Sequence, residues 1–176
     1  MISFSSKYRS NQDEIMDNFD LKGPAMKELM TDLKRVNSLL GGNSITLSGI
    51  HHLVQNTKKE RPLTVLDIGC GDGEMLRQIA MWGRKEGRQL HLIGIDANSH
   101  ILKEAEARSN TFQSIVFKHE DIFKEGSALP EFDIALCTLF LHHFKEPQIC
   151  DLLQNLVSNA KVGVVVNDLQ RSGVAF

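Results

Sequence analysis

Beyond Pro62 the chain alternates short, unbroken apolar runs with longer segments whose apolar positions return every three or four residues. The runs predict strands at 63–68, 90–96, 114–118, 132–137 and 161–167, and the periodic segments predict helices at 73–84, 98–109 and 147–159. In the last helix Ile149, Leu152, Leu153, Leu156 and Val157 share a face, and Pro147 sits near its first position. A run such as Val162–Val166, without polar alternation, suits a strand covered on both faces. Strands alternating with helices imply an α/β fold, a doubly wound and mostly parallel sheet with right-handed crossovers.

The part before Pro62 follows a different pattern. Residues 1–22 are polar, with Asp13, Glu14, Asp17 and Asp20 around Ile15, Met16 and Phe19, and predict a loosely held arm. Pro24 suits the first position of a helix carrying Met26, Leu29, Met30, Leu33, Val36 and Leu40, which Gly41-Gly42 would end. Thr46 is placed to cap a second helix with Leu47, Ile50, Leu53 and Val54 on one face. The polar stretch 56–62 is the best linker. The expected organisation is an N-terminal arm and helical lid over 1–56 and a ligand-binding sheet domain over 57–176.

Composition sharpens this picture without changing it. A chain of 176 residues with 41% hydrophobic and 24% charged residues is sized for one substantial core. A net charge of −2, with no Lys/Arg stripe, argues against a nucleic-acid partner. Three cysteines without CxxC spacing fit reduced thiols in a cytoplasmic setting. No apolar stretch approaches the length of a membrane span, and the first residues lack the pattern of a secretory signal. His51-His52, neighbours on a helix, face different directions and make a poor metal pair; no HExxH or Cys/His cluster supports zinc.

The chemistry concentrates at strand ends. Val65-Leu66-Asp67-Ile68-Gly69-Cys70-Gly71-Asp72-Gly73-Glu74 reads as a buried strand, a glycine turn and a helix start. Gly69 and Gly71 let the main chain turn tightly and approach a ligand, and Gly73 opens a helix whose N-terminus favours an anionic group. His91–Asp96 ends in a carboxylate about 25 residues on, where a doubly wound sheet grips a ribose diol. Ser114–Lys118 leads to His119-Glu120-Asp121-Ile122, and Phe132–Cys137 leads to Thr138-Leu139-Phe140-Leu141-His142-His143-Phe144.

This set, in this order over residues 63–168, resembles the class I S-adenosylmethionine-dependent methyltransferases, with their Rossmann-like fold. The resemblance implies S-adenosyl-L-methionine as cofactor. Asp67 would orient the glycine loop and the methionine end of that molecule, with Gly69, Cys70, Gly71 and Gly73 contributing backbone. Asp96 with Ala97 would hold the ribose. Asp121 would accept from the adenine amino group with Ile122 beside the ring, Glu120 being the neighbouring alternative and turn capping the competing role. Cys137 completes the cofactor set. His142 and His143 fall where the transferred methyl should sit, so either can serve as the catalytic base, or pack and cap the next helix instead.

The resemblance also has gaps. Class I enzymes follow the fifth strand with a helix and an antiparallel strand pair, about 50 residues by ordinary element lengths. Here the chain reaches Phe176 soon after Asn167-Asp168-Leu169. The fifth strand would be an exposed apolar edge, which implies a C-terminally truncated chain or a homodimer covering it. The nucleic-acid-modifying members carry an Asp/Asn-Pro-Pro-aromatic motif after the fourth strand; Cys137-Thr138-Leu139-Phe140 stands here. A small organic or lipid-like acceptor, methylated at oxygen or carbon, is therefore expected. Two other classes compete. A nicotinamide-dependent oxidoreductase uses the same architecture, though Glu74 replaces the final glycine of its GxGxxG fingerprint. A non-catalytic binding domain can also keep this fold.

Overall fold

The computed structural model describes residues 41–169, preceded by Gly23, Met26, Glu28 and Thr31 in helical conformation. Helix α1 (Gly42–Val54) is followed by β1 (Leu63–Ile68), α2 (Glu74–Glu86), β2 (Leu90–Asp96) and α3 (Ser99–Ser109). Then come β3 (Ile115–His119), β4 (Ile134–Thr138), a 3-10 turn (Leu141–His143), α4 (Glu146–Asn159) and β5 (Gly163–Asn167). The five strands are parallel, in the order β3-β2-β1-β4-β5. The order reverses between β1 and β4, the switch point where sheets of this kind open a crevice.

The alternation of side chains along each strand builds two cores. Leu63, Val65, Ile134 and Leu136 face one side and pack with Ile50 and Val54 of α1, Leu76 and Ile79 of α2, and Leu102 of α3. Leu66, Ile68, Ala135 and Cys137 face the other side, against Leu152 and Leu156 of α4 and Leu141. Because β1 and β4 are covered on both faces, their sequences are unbroken apolar runs. Within the described residues β5 forms an edge, and Val166 there is 46% exposed.

Strand and helix positions match the expected ones to within two residues, apart from local corrections. Helix α1 starts at Gly42, with Gly41 as its N-cap in the left-handed region at φ +70°. Thr46 is therefore no cap: it lies inside the helix, fully buried, with its hydroxyl near the Gly42 carbonyl. Its polar group is satisfied by tertiary partners, an outcome that local spacing does not reveal. In α2, Met81 is 46% exposed, while Met75 is buried and Trp82 packs beside the core. In the N-terminal arm and first helix, Met26 is buried, and Met16, Phe19 and Met30 lie outside the described residues.

No helix among the described residues is long and apolar enough to cross a membrane.

Candidate functional site

A cavity of about 330 Å³ opens at the carboxyl ends of the strands, between the turns that follow β1, β2, β3 and β4. Gly69, Gly71, Asp96, Ala97, Asp121, Ile122 and His143, all expected site residues, line it together with Phe140 and Phe144. Asp67, Cys70, Gly73, Cys137 and His142 are not in its wall.

The glycine turn has the left-handed backbone at three alternate positions, with φ of +69°, +53° and +74° at Gly69, Gly71 and Gly73. A Cβ on Gly69 would stand 2.1 Å from Cδ2 of Phe140, and one on Gly73 would stand 2.6 Å from Cζ of Phe117. A Cβ on Gly71 would meet nothing within 4 Å. Two of the glycines thus let rings pack against the loop, and the third presents bare backbone to the cavity.

The loop is fastened to β2. The amides of Gly69 and Cys70 both donate to the Ile95 carbonyl, at 2.9 and 3.0 Å, and the Gly71 amide donates to Oδ2 of Asp96 at 3.0 Å. Asp96 Oδ1 accepts from the Asn98 amide at 2.9 Å. The cap of α3 is Asn98, whose Oδ1 accepts from His100 and Ile101, so Asp96 is not that cap. Burial pushes the Asp96 carboxyl above its ordinary value, while the Asn98 and Gly71 amides pull it part of the way back.

Asp67 lies deeper, 2% exposed in β1. Burial first, and then the neighbouring Asp96, push its pKa up to about 7. Burial likewise pushes the Cys137 thiol up to about 12 and raises that of Cys70 well above its ordinary value. Both thiols stay protonated and serve as small apolar groups.

A second clamp holds the other end of the loop, and neither spacing nor composition announced it. Arg77, buried in α2, donates to the Asp72 carbonyl at 2.6 Å and to Ser109 Oγ at 3.1 Å, and pairs with Glu74 at 2.9 Å. Arg108 from α3 reaches Asp72 Oδ2 at 2.5 Å. Asp72 Oδ1 accepts from the Glu74 amide, so the side chain of Asp72 already engages part of the α2 N-terminus that the sequence offered to a ligand anion. At the third strand end, Asp121 Oδ1 accepts from the Phe123 amide at 3.0 Å, and Glu120 Oε1 accepts from Ser127 Oγ at 2.7 Å. Asp121 thus caps its turn and also lines the cavity.

On the β4–β5 side the histidine pair divides. His143 lines the cavity; His142, its ring centroid 4.2 Å away, turns toward the end of β5. There Asp168 Oδ1 lies 2.6 Å from His142 Nδ1, and Oδ2 accepts from the His142 amide at 3.1 Å. Burial pushes the Asp168 carboxyl up, but the His142 and Leu169 hydrogen bonds outweigh it and hold it below its ordinary value. Asp168 was missed as a site residue although it obeys the rule that singled out Asp96, an acid just past an apolar strand. Among the described residues no group of three His, Cys, Asp or Glu gathers to hold a metal.

Fit to the expected cofactor can be judged from these groups. S-adenosylmethionine carries an ammonium, a diol and an adenine. The cavity-facing Asp96 and the Asp121-Ile122 turn offer acceptors suited to a diol and to an amino edge, while Asp67 lies behind the wall, beneath Asp96. The donor set fits.

A family model described as a methyltransferase domain matches residues 59–170. Carboxy-S-adenosyl-L-methionine synthase of Helicobacter pylori (strain HPAG1) is 29% identical over 119 residues, covering 64% of this chain and 45% of that protein. Among solved structures, the plantazolicin methyltransferase BpumL, in complex with a triazolic desmethylPZN analog and SAH, superposes with a TM-score of 0.56. It is 24% identical, over 78% of this chain and 49% of that one. The [4+2]-cyclase SpnF superposes with a TM-score of 0.51 at 18% identity, over 69% of this chain and 45% of that one. The chain thus spans about half the length of the relatives it matches. On the matched domain, the sheet order and the strand-end site together, the chain belongs to the methyltransferase-domain family, the S-adenosylmethionine-dependent class that its sequence resembles.

Proposed function

We propose that this chain carries the donor-binding half of a methyltransferase that acts on a small organic or lipid-like acceptor. The observation that carries the reading is Asp96, which lines one crevice at the carboxyl end of β2 beside an unobstructed Gly71 and accepts from its amide. S-adenosylmethionine supplies an electrophilic methyl group on a positively charged sulfur. The chain's own contribution is placement. Asp67 provides the counter-charge for the ammonium, Asp96 the acceptor for the diol, and the Asp121-Ile122 turn the seat for the base.

Phe140 and Phe144, whose centroids lie 4.8 Å apart, wall the cavity beside His143. Holding donor and acceptor in line in such a space is worth roughly 7–11 kcal/mol of barrier. A hydroxyl acceptor also needs its proton removed, and His143 in the cavity wall is a group able to take it.

Calorimetric titration with S-adenosylhomocysteine and, separately, with NADH tests the reading against the oxidoreductase alternative. Binding of the first and none of the second is expected. Tight binding of NADH alone overturns it.

A further inference from the structure

We propose that Leu139 is a positioning residue for the donor site: held in a left-handed backbone that leucine disfavours, it sets Phe140 against Gly69 and so presets the cavity wall. This rests on the methyltransferase reading above. Leu139, at φ +51°, is the one non-glycine residue among the described residues with such a backbone. There the Cβ crowds the following carbonyl, and a bulky residue is a rare occupant. A strained residue persists only where its surroundings over-determine it, so the groups that hold Leu139 in place matter.

Leu139 is tied on both sides. Its amide donates to the Asn167 carbonyl at 2.8 Å, just beyond the Thr138–Asn167 register pair that ends β4 and β5. Asn167 is itself fixed, its side chain donating to the Gly42 carbonyl and to Thr46 Oγ1. Two residues after Leu139, Leu141 is buried with Leu152 and Leu156 of α4. The chain has only Leu139 and Phe140 with which to pass from the strand end into the 3-10 turn, where the His143 amide donates to the Phe140 carbonyl at 3.3 Å. Ordinary strand backbone at Leu139 would carry the chain straight on, away from that anchor.

The reversal delivers Phe140 to the glycine turn. A Cβ on Gly69 would stand 2.1, 2.6 and 2.8 Å from Cδ2, Cε2 and Cγ of Phe140, so the ring fills the space that the glycine leaves. Phe144 packs on that ring, and Phe123 packs on Phe144 with centroids 4.4 Å apart. Gly69, Leu139, Phe140 and Phe144 all line the cavity, so one backbone angle fixes how the turn after β4 stands against the turn after β1. The strain at Leu139 and the bare Cα at Gly69 are two halves of one contact. A wall preset in this way spares a ligand the cost of ordering it on binding.

The test uses Leu139→Asn, Leu139→Val and Phe140→Ala in the full-length protein. Asparagine tolerates the left-handed region, and β-branched valine does not. The NMR shift of the Gly69 Hα protons, displaced by the Phe140 ring, reads the contact, and calorimetry with S-adenosylhomocysteine reads the site. Leu139→Asn should keep the Gly69 shift and bind within about threefold of wild type. Leu139→Val should lose the shift and bind at least about tenfold more weakly after correction for unfolding, and Phe140→Ala should lose affinity to a similar degree. A merely structural role would lower the melting temperature of Leu139→Val without moving the Gly69 shift or the corrected affinity, and that result overturns the proposal. A lost Gly69 shift in Leu139→Asn, or unchanged affinity in Phe140→Ala, overturns it as well, and these two decide the matter if Leu139→Val does not fold. Absence of S-adenosylhomocysteine binding from wild type would instead count against the methyltransferase reading, with the Gly69 shifts still deciding whether Leu139 sets Phe140.

Discussion

The Gly71 amide donates to Asp96 Oδ2 at 3.0 Å, so the loop that presents bare backbone to the crevice is tied to the acid expected to hold the sugar. One carboxylate therefore shapes the site and lines it. Asp96→Ala removes the acceptor for Gly71 and for Asn98, leaving donors unsatisfied at about 1–3 kcal/mol. We expect S-adenosylhomocysteine affinity to fall about 10- to 100-fold in calorimetry. Wild-type affinity would place the ligand elsewhere.

The glycines separate stability from binding. Gly69→Ala drives a Cβ into the Phe140 ring and should lower the melting temperature markedly. Gly71→Ala meets no protein atom and carries only the left-handed penalty of about 1–2 kcal/mol. Its fold should survive, with the methyl group obstructing the crevice and ligand binding lost at least tenfold. Equal effects of the two substitutions on binding, after correction for unfolding, would contradict an open approach at Gly71.

Asp67 makes the ligand-free protein sensitive to pH. Folded, it keeps its proton up to about pH 7; unfolded, it releases it near the ordinary value of 3.8. Between those values the folded state binds more protons, so its stability declines as pH rises. Thermal melts from pH 4 to pH 8 should show this loss, and Asp67→Asn should flatten it. An ammonium ligand prefers the ionised acid, so affinity should climb as pH rises toward 7 and then level, with proton release on binding below pH 7. Calorimetry in buffers of different ionisation enthalpy measures that proton.

Arg77 is the hub of the clamp behind the loop. Arg77→Met deletes its bonds to the Asp72 carbonyl and Ser109 and leaves Glu74 without that partner in a largely buried place. Breaking a buried pair of this kind costs about 3–5 kcal/mol, and partial exposure of Glu74 argues for the lower end. Urea unfolding should report the loss, and a midpoint within error of wild type would mean the clamp is slack.

Where the sequence was readable, one rule made it so. Strands covered on both faces must be unbroken apolar runs, which is why Val65-Leu66 and Ile134-Ala135-Leu136 were placed correctly. An acid ending such a run must find polar partners, and that put Asp96 at the cavity, whereas Asp121 lines it from the turn beyond the more exposed β3. What escaped depended on partners remote in sequence. Thr46 looked like a cap, but Asn167 and Thr138 from two strand ends claim its hydroxyl. Asp168 follows the same acid rule, yet its significance lies in facing His142 across the β4–β5 register. Arg77 reads as an ordinary polar helical residue until α3 brings Ser109 beside it.

Asn167 also reaches back across the sheet end, donating to the Gly42 carbonyl at 2.8 Å and to Thr46 Oγ1 at 3.0 Å. The first turn of α1 is thereby moored to the strand whose neighbour leads into the crevice wall. Helix α1 is consequently anchored at the carboxyl end of the sheet, the same end at which the crevice opens, so loosening Asn167 would free the helix start without touching the strands.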